Sequence, residues 1–212
     1  MTCLWTKAEH MVNQLLPVEN IVDNKLIGEQ SGKPMDTASY ARAEASNLTK
    51  RQISALAESI ATQLGYEPCG DIYEAIGKLG GEIEIEDTLL SDPESTGSLF
   101  VEDKGSFKII VPSHTSPTRD RFTIAHELGH FIVHYAWRRQ KDLLKEEKMM
   151  ALRRDSDRVE WEANWFAAAF LMPSKKFQEQ FAKCGGDVNS TAAAFCVSSA
   201  AAEIRARSLG LV

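Results

Sequence analysis

A chain of 212 residues with 43% apolar side chains is long enough to bury one core, with or without an appendage. Thirty acidic against 24 basic side chains leave a formal charge of -6, which argues against a general nucleic-acid binder and leaves room only for a local basic patch. Residues 1 to 30 lack a basic start followed by a long apolar run, and no segment approaches the ~18 uninterrupted apolar residues of a membrane span. The expectation is a cytoplasmic protein with no membrane partner. The four cysteines, Cys3, Cys69, Cys184 and Cys196, show no C-x-x-C spacing. They indicate neither a disulfide scaffold nor a cysteine zinc site, and each is expected as a reduced, small apolar residue.

In chain order, Ala8, Met11, Val12, Leu15 and Leu16 recur at helical spacing between Trp5 and Leu16, and Pro17 stops that helix. From about Gly28 to Asn47 the sequence has no period and reads as a linker or loosely packed arm, so residues 1–48 form an N-terminal extension. Thr49 and Gln52 then propose a capping box, with Ile53, Leu56, Ala57, Ile60 and Leu64 on one apolar face ending at Gly65. Asp71 is an N-cap for a shorter helix, Ile72 to Leu79, closed by Gly80-Gly81. The period then changes. Glu82 to Asp87 alternates charge with isoleucine, and Gly97 to Val101 and Phe107 to Val111 are short apolar runs with a hairpin signal, Asp103-Lys104-Gly105, between them. The expectation is a small, largely antiparallel, three-stranded sheet.

Thr118 or Asp120 starts the next helix, which packs through Phe122, Ile124, Ala125, Leu128, Phe131 and Ile132 and reaches at least Tyr135. It carries His126-Glu127-Leu128-Gly129-His130. Histidines four apart on a helix are offset by roughly 40° and about 6 Å along the axis, so both imidazoles reach one metal ion from the same face. Glu127 lies between them, placed to take a proton from an attacking water rather than to bind the metal. Between Arg138 and Arg158 both charge signs are dense and Met149, Met150 and Leu152 are the main apolar interruption, which reads as a solvated loop or exposed helix.

From Val159 to Leu171 a second helix carries a core stripe of Val159, Ala163, Phe166 and Phe170. Glu160 and Asn164 share one flank, while Glu162 lies roughly 160° from Glu160, so only one of the two glutamates can face the same metal. Glu160 is the third ligand by choice, because Asn164 one turn on can then accept a hydrogen bond from a ligand histidine; Glu162 is the reserve. Two imidazoles and one carboxylate leave zinc a further position, the arrangement of a catalytic site. His134, one turn beyond His130, would close that site as a fourth ligand, so it reads as a packing or hydrogen-bonding residue. Gly129 costs helix stability of ~1 kcal/mol relative to Ala, which close approach of a neighbouring helix or strand would explain. Tyr135 or Tyr40 could donate to an oxyanion, and neither is assigned that role. His114 reads as exposed and His10 as remote. An edge strand of the sheet could hold substrate backbone in extended form.

After Pro173, Phe177 and Phe181 mark another helix ending at Cys184-Gly185-Gly186. Two short helices follow, Ser190 to Phe195 and Ser198 to Ser208, with Val197-Ser198 at the turn and Ser198 as a cap, a pattern that resembles a helix-turn-helix. Arg205 and Arg207 beside Glu203 are thin for neutralising phosphates, so direct DNA binding is not expected. The division is thus 1–48, extension; 49–173, core; 174–212, helical C-terminal region, in an α+β, mainly helical chain.

The run His126 to His130 with His134, followed by Glu160-Trp161-Glu162-Ala163-Asn164-Trp165-Phe166-Ala167 and Leu171-Met172-Pro173, resembles the ImmA/IrrE family of zinc metallopeptidases. The likeness runs back through Thr96 to Leu99 and Arg121 to Ala125, and forward to Phe195 to Ser198, Ile204-Arg205 and Leu209-Gly210. It covers roughly residues 50 to 212. The resemblance implies a gluzincin-like core, a helix-turn-helix-like C-terminal region, a bound Zn2+, and cleavage of a protein partner, a helix-turn-helix repressor or antitoxin, in a stress, mobile-element or toxin-antitoxin setting. The alternative it implies is a non-proteolytic regulator that binds and sequesters a transcription factor. An intact Glu127 favours the enzyme.

Overall fold

The computed structural model describes residues 39–86, 97–102, 105–113, 116–152 and 157–212, so the expected Trp5–Leu16 helix, His10, His114 and most of the expected linker lie outside the described residues. The described chain is α+β and mostly helical, with one five-stranded sheet. The strands are β1 (Ala41–Arg42), β2 (Gly81–Glu86), β3 (Gly97–Val101), β4 (Phe107–Pro112) and β5 (Met149–Leu152), in the order β1-β5-β3-β4-β2. β3 runs antiparallel to both its neighbours, while β1 pairs with β5 and β2 with β4 in parallel.

The sheet is therefore mixed, not the expected three-stranded antiparallel one. Two strands escape a pattern reading for physical reasons. β1 is two residues long, too short to show alternation, and β5 is a four-residue apolar run set in dense charge. The three expected strands all form, but alternation shows which side chains share a face and says nothing of strand direction. β2 lies in register with β4 from Gly81↔Phe107 to Glu86↔Pro112. Gly81 is required there, because a Cβ would stand 2.3 Å from the Phe107 ring. The β3–β4 hairpin turns through Gly105, at φ 83°, with the Glu102 N–H donating to the Ser106 carbonyl at 2.8 Å.

Seven helices accompany the sheet among the described residues. In α1 (Lys50–Gln63) the expected capping box forms between Thr49 and Gln52, and Ile53, Leu56, Ala57 and Ile60 are buried. In α2 (Ile72–Lys78) Asp71 accepts from the Tyr73 and Glu74 N–H groups. α3 (Pro117–Gly129) starts earlier than Thr118 or Asp120: Ser116 caps it and Pro117, whose fixed φ suits the first turn, begins it. It continues through a π-helical stretch, His130–Ala136, where the Trp137 N–H reaches back five residues to the Ile132 carbonyl, and ends at Trp137–Gln140. α4 (Asp157–Leu171) packs against both α1 and α3, so the core's middle helix also borders the histidines.

Residues 39–48, read from the sequence as the end of a linker, pack on this core. Ala43 and Leu48 are buried, and Arg138 donates to Glu44 Oε2 at 2.6 Å and to the Leu143 carbonyl at 3.0 Å. At the other end α5 (Ser174–Lys183), α6 (Val188–Phe195) and α7 (Ser199–Ser208) form the expected short-helix region, with Ser198 capping α7. Arg205 turns inward. Its Nε donates to the Met172 carbonyl at 2.9 Å and its Nη2 to Glu58 at 3.1 Å, which removes one of only two cations on that helix from any phosphate. Cys69 and Cys196 are joined in a disulfide, Cα atoms 5.2 Å apart across 127 residues, correcting the expectation that every cysteine is a reduced apolar residue. The fold, not any spacing, brings them together, and the cysteines no longer argue for a reducing compartment. Among the described residues no helix is long and apolar enough to cross a membrane.

Candidate metal centre

α3 and α4 meet at Gly129. A Cβ there would stand 3.0 Å from the Ala163 carbonyl oxygen and 3.1 Å from both Ala163 Cα and Phe166 Cβ. The residue that weakens the helix is thus the one that lets its neighbour's backbone approach. That approach sets the site, because it brings a carboxylate of α4 within reach of the imidazoles of α3. His126 Nε2 and His130 Nε2 are 3.0 Å apart. Glu160 Oε2 lies 3.2 Å from the first and Glu160 Oε1 3.5 Å from the second. Among the described residues, this trio has its ligand atoms within 4.8 Å of one another.

These separations match the edges of a tetrahedron. Four donors at about 2.0–2.1 Å from zinc stand roughly 3.3 Å apart. A second observation points the same way: Glu160 Oε1 is buried and has no hydrogen-bonding partner. An orphaned carboxylate oxygen beside two ring nitrogens that face each other is a costly arrangement unless a cation sits among them. The donor set, two imidazoles and a carboxylate, suits zinc.

The ionisation states agree with that fit. Burial pushes the His130 imidazole down to about 3, and it also lowers His134, so both rings are neutral at ordinary pH. Burial would lower His126 as well, but the Glu160 and Glu127 carboxylates outweigh it and raise that ring, which reflects a pocket that favours positive charge. Burial acts to raise Glu160, and the two imidazoles facing it overcome that and hold the carboxyl well below its ordinary value. Glu127 is buried on the same helix.

The ring nitrogens facing away from the trio are held differently. His126 Nδ1 is 3.0 Å from Asn164 Oδ1, the flank-mate of Glu160. His130 Nδ1 is 3.0 Å from His134 Nδ1. His134 does not join the trio: its Nε2 lies 3.2 Å from Glu162 Oε2. The reserve glutamate Glu162 is therefore taken up by His134 rather than by the imidazole pair, and is fully buried. It is held ionised, down to about 2: burial works against this, and His134, Ser46 and Arg158 overcome it. Tyr135 donates to the Glu147 carbonyl at 3.1 Å and Tyr40 donates to Glu102.

Sequence reasoning missed Ser46 and Arg158. Arg158 was hidden in a charge-dense stretch, and Ser46 in an apparent linker. The four-residue step from His130 to His134 is the signal for the contact between those two rings. A protein-family model described as the IrrE N-terminal-like domain, a peptidase family, matches residues 82–207. No curated protein matches the chain.

Proposed function

The chain belongs to the IrrE N-terminal-like peptidase family, and from that premise and the α3–α4 seam we propose that it is a zinc-dependent endopeptidase acting on a protein partner. The observation that carries the reading is the part-buried trio of His126 Nε2, His130 Nε2 and Glu160, with donor separations of 3.0, 3.2 and 3.5 Å and Glu127 on the same helix as the two histidines. His126, His130 and Glu160 would hold the ion. When bound, zinc acidifies a water and polarises the scissile carbonyl.

The remaining work falls to the chain's own groups. The Glu127 carboxylate accepts a proton from the attacking water and afterwards returns it to the leaving amine, so the peptide nitrogen departs as a neutral amine. Asn164 Oδ1 accepts from His126 Nδ1–H, which leaves the Nε2 lone pair of that ring aimed into the trio. The buried Phe166 of α4 packs against Gly129 in the seam. The partner class, a helix-turn-helix repressor or antitoxin, rests on the resemblance in the sequence.

The test is co-expression of the wild type or Glu127→Gln with the protein encoded beside it, followed by mass spectrometry of that protein. Wild type should yield discrete fragments and Glu127→Gln about 10²–10⁴-fold less, while both bind one Zn2+ per chain. Equal cleavage by both would remove Glu127 from the mechanism, and full metal occupancy without cleavage by either would favour sequestration.

A further inference from the structure

His130 Nε2 points into the trio, so its other nitrogen, Nδ1, carries the proton and donates to His134 Nδ1 at 3.0 Å. His134 accepts there with its lone pair and therefore carries its own proton on Nε2, which donates to Glu162 Oε2 at 3.2 Å. An ionised carboxylate only accepts, so the direction of both bonds is fixed from the far end. Reversing either would put a proton on His130 Nε2 and remove it as a ligand.

Glu162 is in turn gripped by two further donors. The Ser46 backbone N–H donates to Oε2 and Arg158 Nε to Oε1, each at 2.8 Å. Arg158 Nη2 also donates to the Leu48 carbonyl at 2.7 Å, and its guanidinium lies over the Trp165 ring at 4.9 Å. A fully buried carboxylate with three donors cannot swing without stranding charge, which makes it a rigid anchor. The connection between β1 and α1 is thus wired to the site, although it lies outside the family-matched stretch 82–207.

We infer that His134, Glu162 and Arg158 are positioning residues, which fix the tautomer and orientation of His130 and join the segment Ser46–Leu48 to the metal centre. The inference rests on reading His130 as a metal ligand. It assigns Glu162 a role distinct from ligation and predicts that a change in the Ser46–Leu48 segment alters metal affinity from a distance.

The experiment measures metal binding by the full chain: Co2+ titration followed by visible absorption, and Zn2+ competition against a chromophoric chelator, with thermal unfolding of each metal-free protein alongside. His134→Leu should raise the Zn2+ dissociation constant about 10–100-fold and perturb the Co2+ spectrum. Arg158→Met, which keeps an unbranched apolar stem beside Trp165, should raise it less, about 3–10-fold. A merely structural role would lower the metal-free unfolding temperature and leave the dissociation constant within about twofold of wild type, and that result in Arg158→Met would overturn the inference. Arg158 is partly exposed, so this variant carries the test even if His134→Leu does not fold. A wild type that binds no metal would overturn the proposed function too, whereas tight wild-type binding with unaltered variants would sink the positioning role alone.

Discussion

Glu58 and Glu160 are both partly buried carboxylates between helices, and their surroundings differ in one respect. Glu58, where the C-terminal helices meet α1, accepts from the Ser174 N–H at 2.8 Å, the Ser174 hydroxyl at 3.2 Å and Arg205 Nη2 at 3.1 Å. That joint is closed by its own residues. Glu160, on the α3–α4 seam, faces two imidazoles and keeps one buried oxygen without a hydrogen bond. Burial of charge is common to both; leftover bonding capacity belongs to the seam, and that difference separates a fastening from a binding site.

If the joint only fastens, breaking it should cost stability and spare the metal. The largest effect belongs to the Cys69–Cys196 link, which closes a loop of 127 residues. Replacing both cysteines by alanine, or reducing the wild type, should lower unfolding stability by about 2–4 kcal/mol in denaturant titrations. Zn2+ affinity should stay unchanged, and a fall in it would show that the two regions are coupled. Both cysteines also hold positive φ, 61° at Cys69 and 51° at Cys196, so the link persists against a backbone preference that the substitution leaves in place.

Next in size is Arg205→Met. It removes the donor to Met172 and Glu58 and should cost about 2–3 kcal/mol, since the part-buried Glu58 loses its cation but retains Ser174. Thermal unfolding would register the loss. The measurement that contradicts the fastening role is an unchanged unfolding temperature.

The two regions were also unequally legible in the sequence. Caps at Thr49, Asp71 and Ser198 are local chemistry, readable within four residues, and they appear where expected. The expectation that Glu160 and Glu162 cannot both face one metal follows from helical geometry alone, and in the structure Glu160 lies beside His126 and Glu162 beside His134. What stayed hidden is non-local. The parallel pairing of β2 with β4, the Cys69–Cys196 contact and the grip of Ser46 on Glu162 join residues 26 or more positions apart, and no periodicity encodes a partner. Arg205 looked like a surface cation because an arginine among alanines carries no sign of the buried Glu58 awaiting it.

The smallest stability effect is the sharpest test of the seam. Gly129→Ala gains about 1 kcal/mol of helix propensity, yet the new methyl meets Ala163 backbone at 3.0–3.1 Å, where the contact cannot be relieved by turning a side chain. The helices must separate by a few tenths of an ångström, at a cost of about 1–3 kcal/mol. The net change in unfolding stability should therefore be only about 1 kcal/mol. Metal binding is more sensitive, because His126 and His130 ride on one helix and Glu160 on the other, so every increment of separation lengthens the carboxylate's reach while leaving the imidazole pair intact. Zn2+ affinity should fall about 30–100-fold, or roughly 2–3 kcal/mol, with the two histidines unperturbed. Equal losses of stability and affinity would mean that the seam is general packing, and an affinity loss exceeding the stability loss would mark it as the frame of the metal centre.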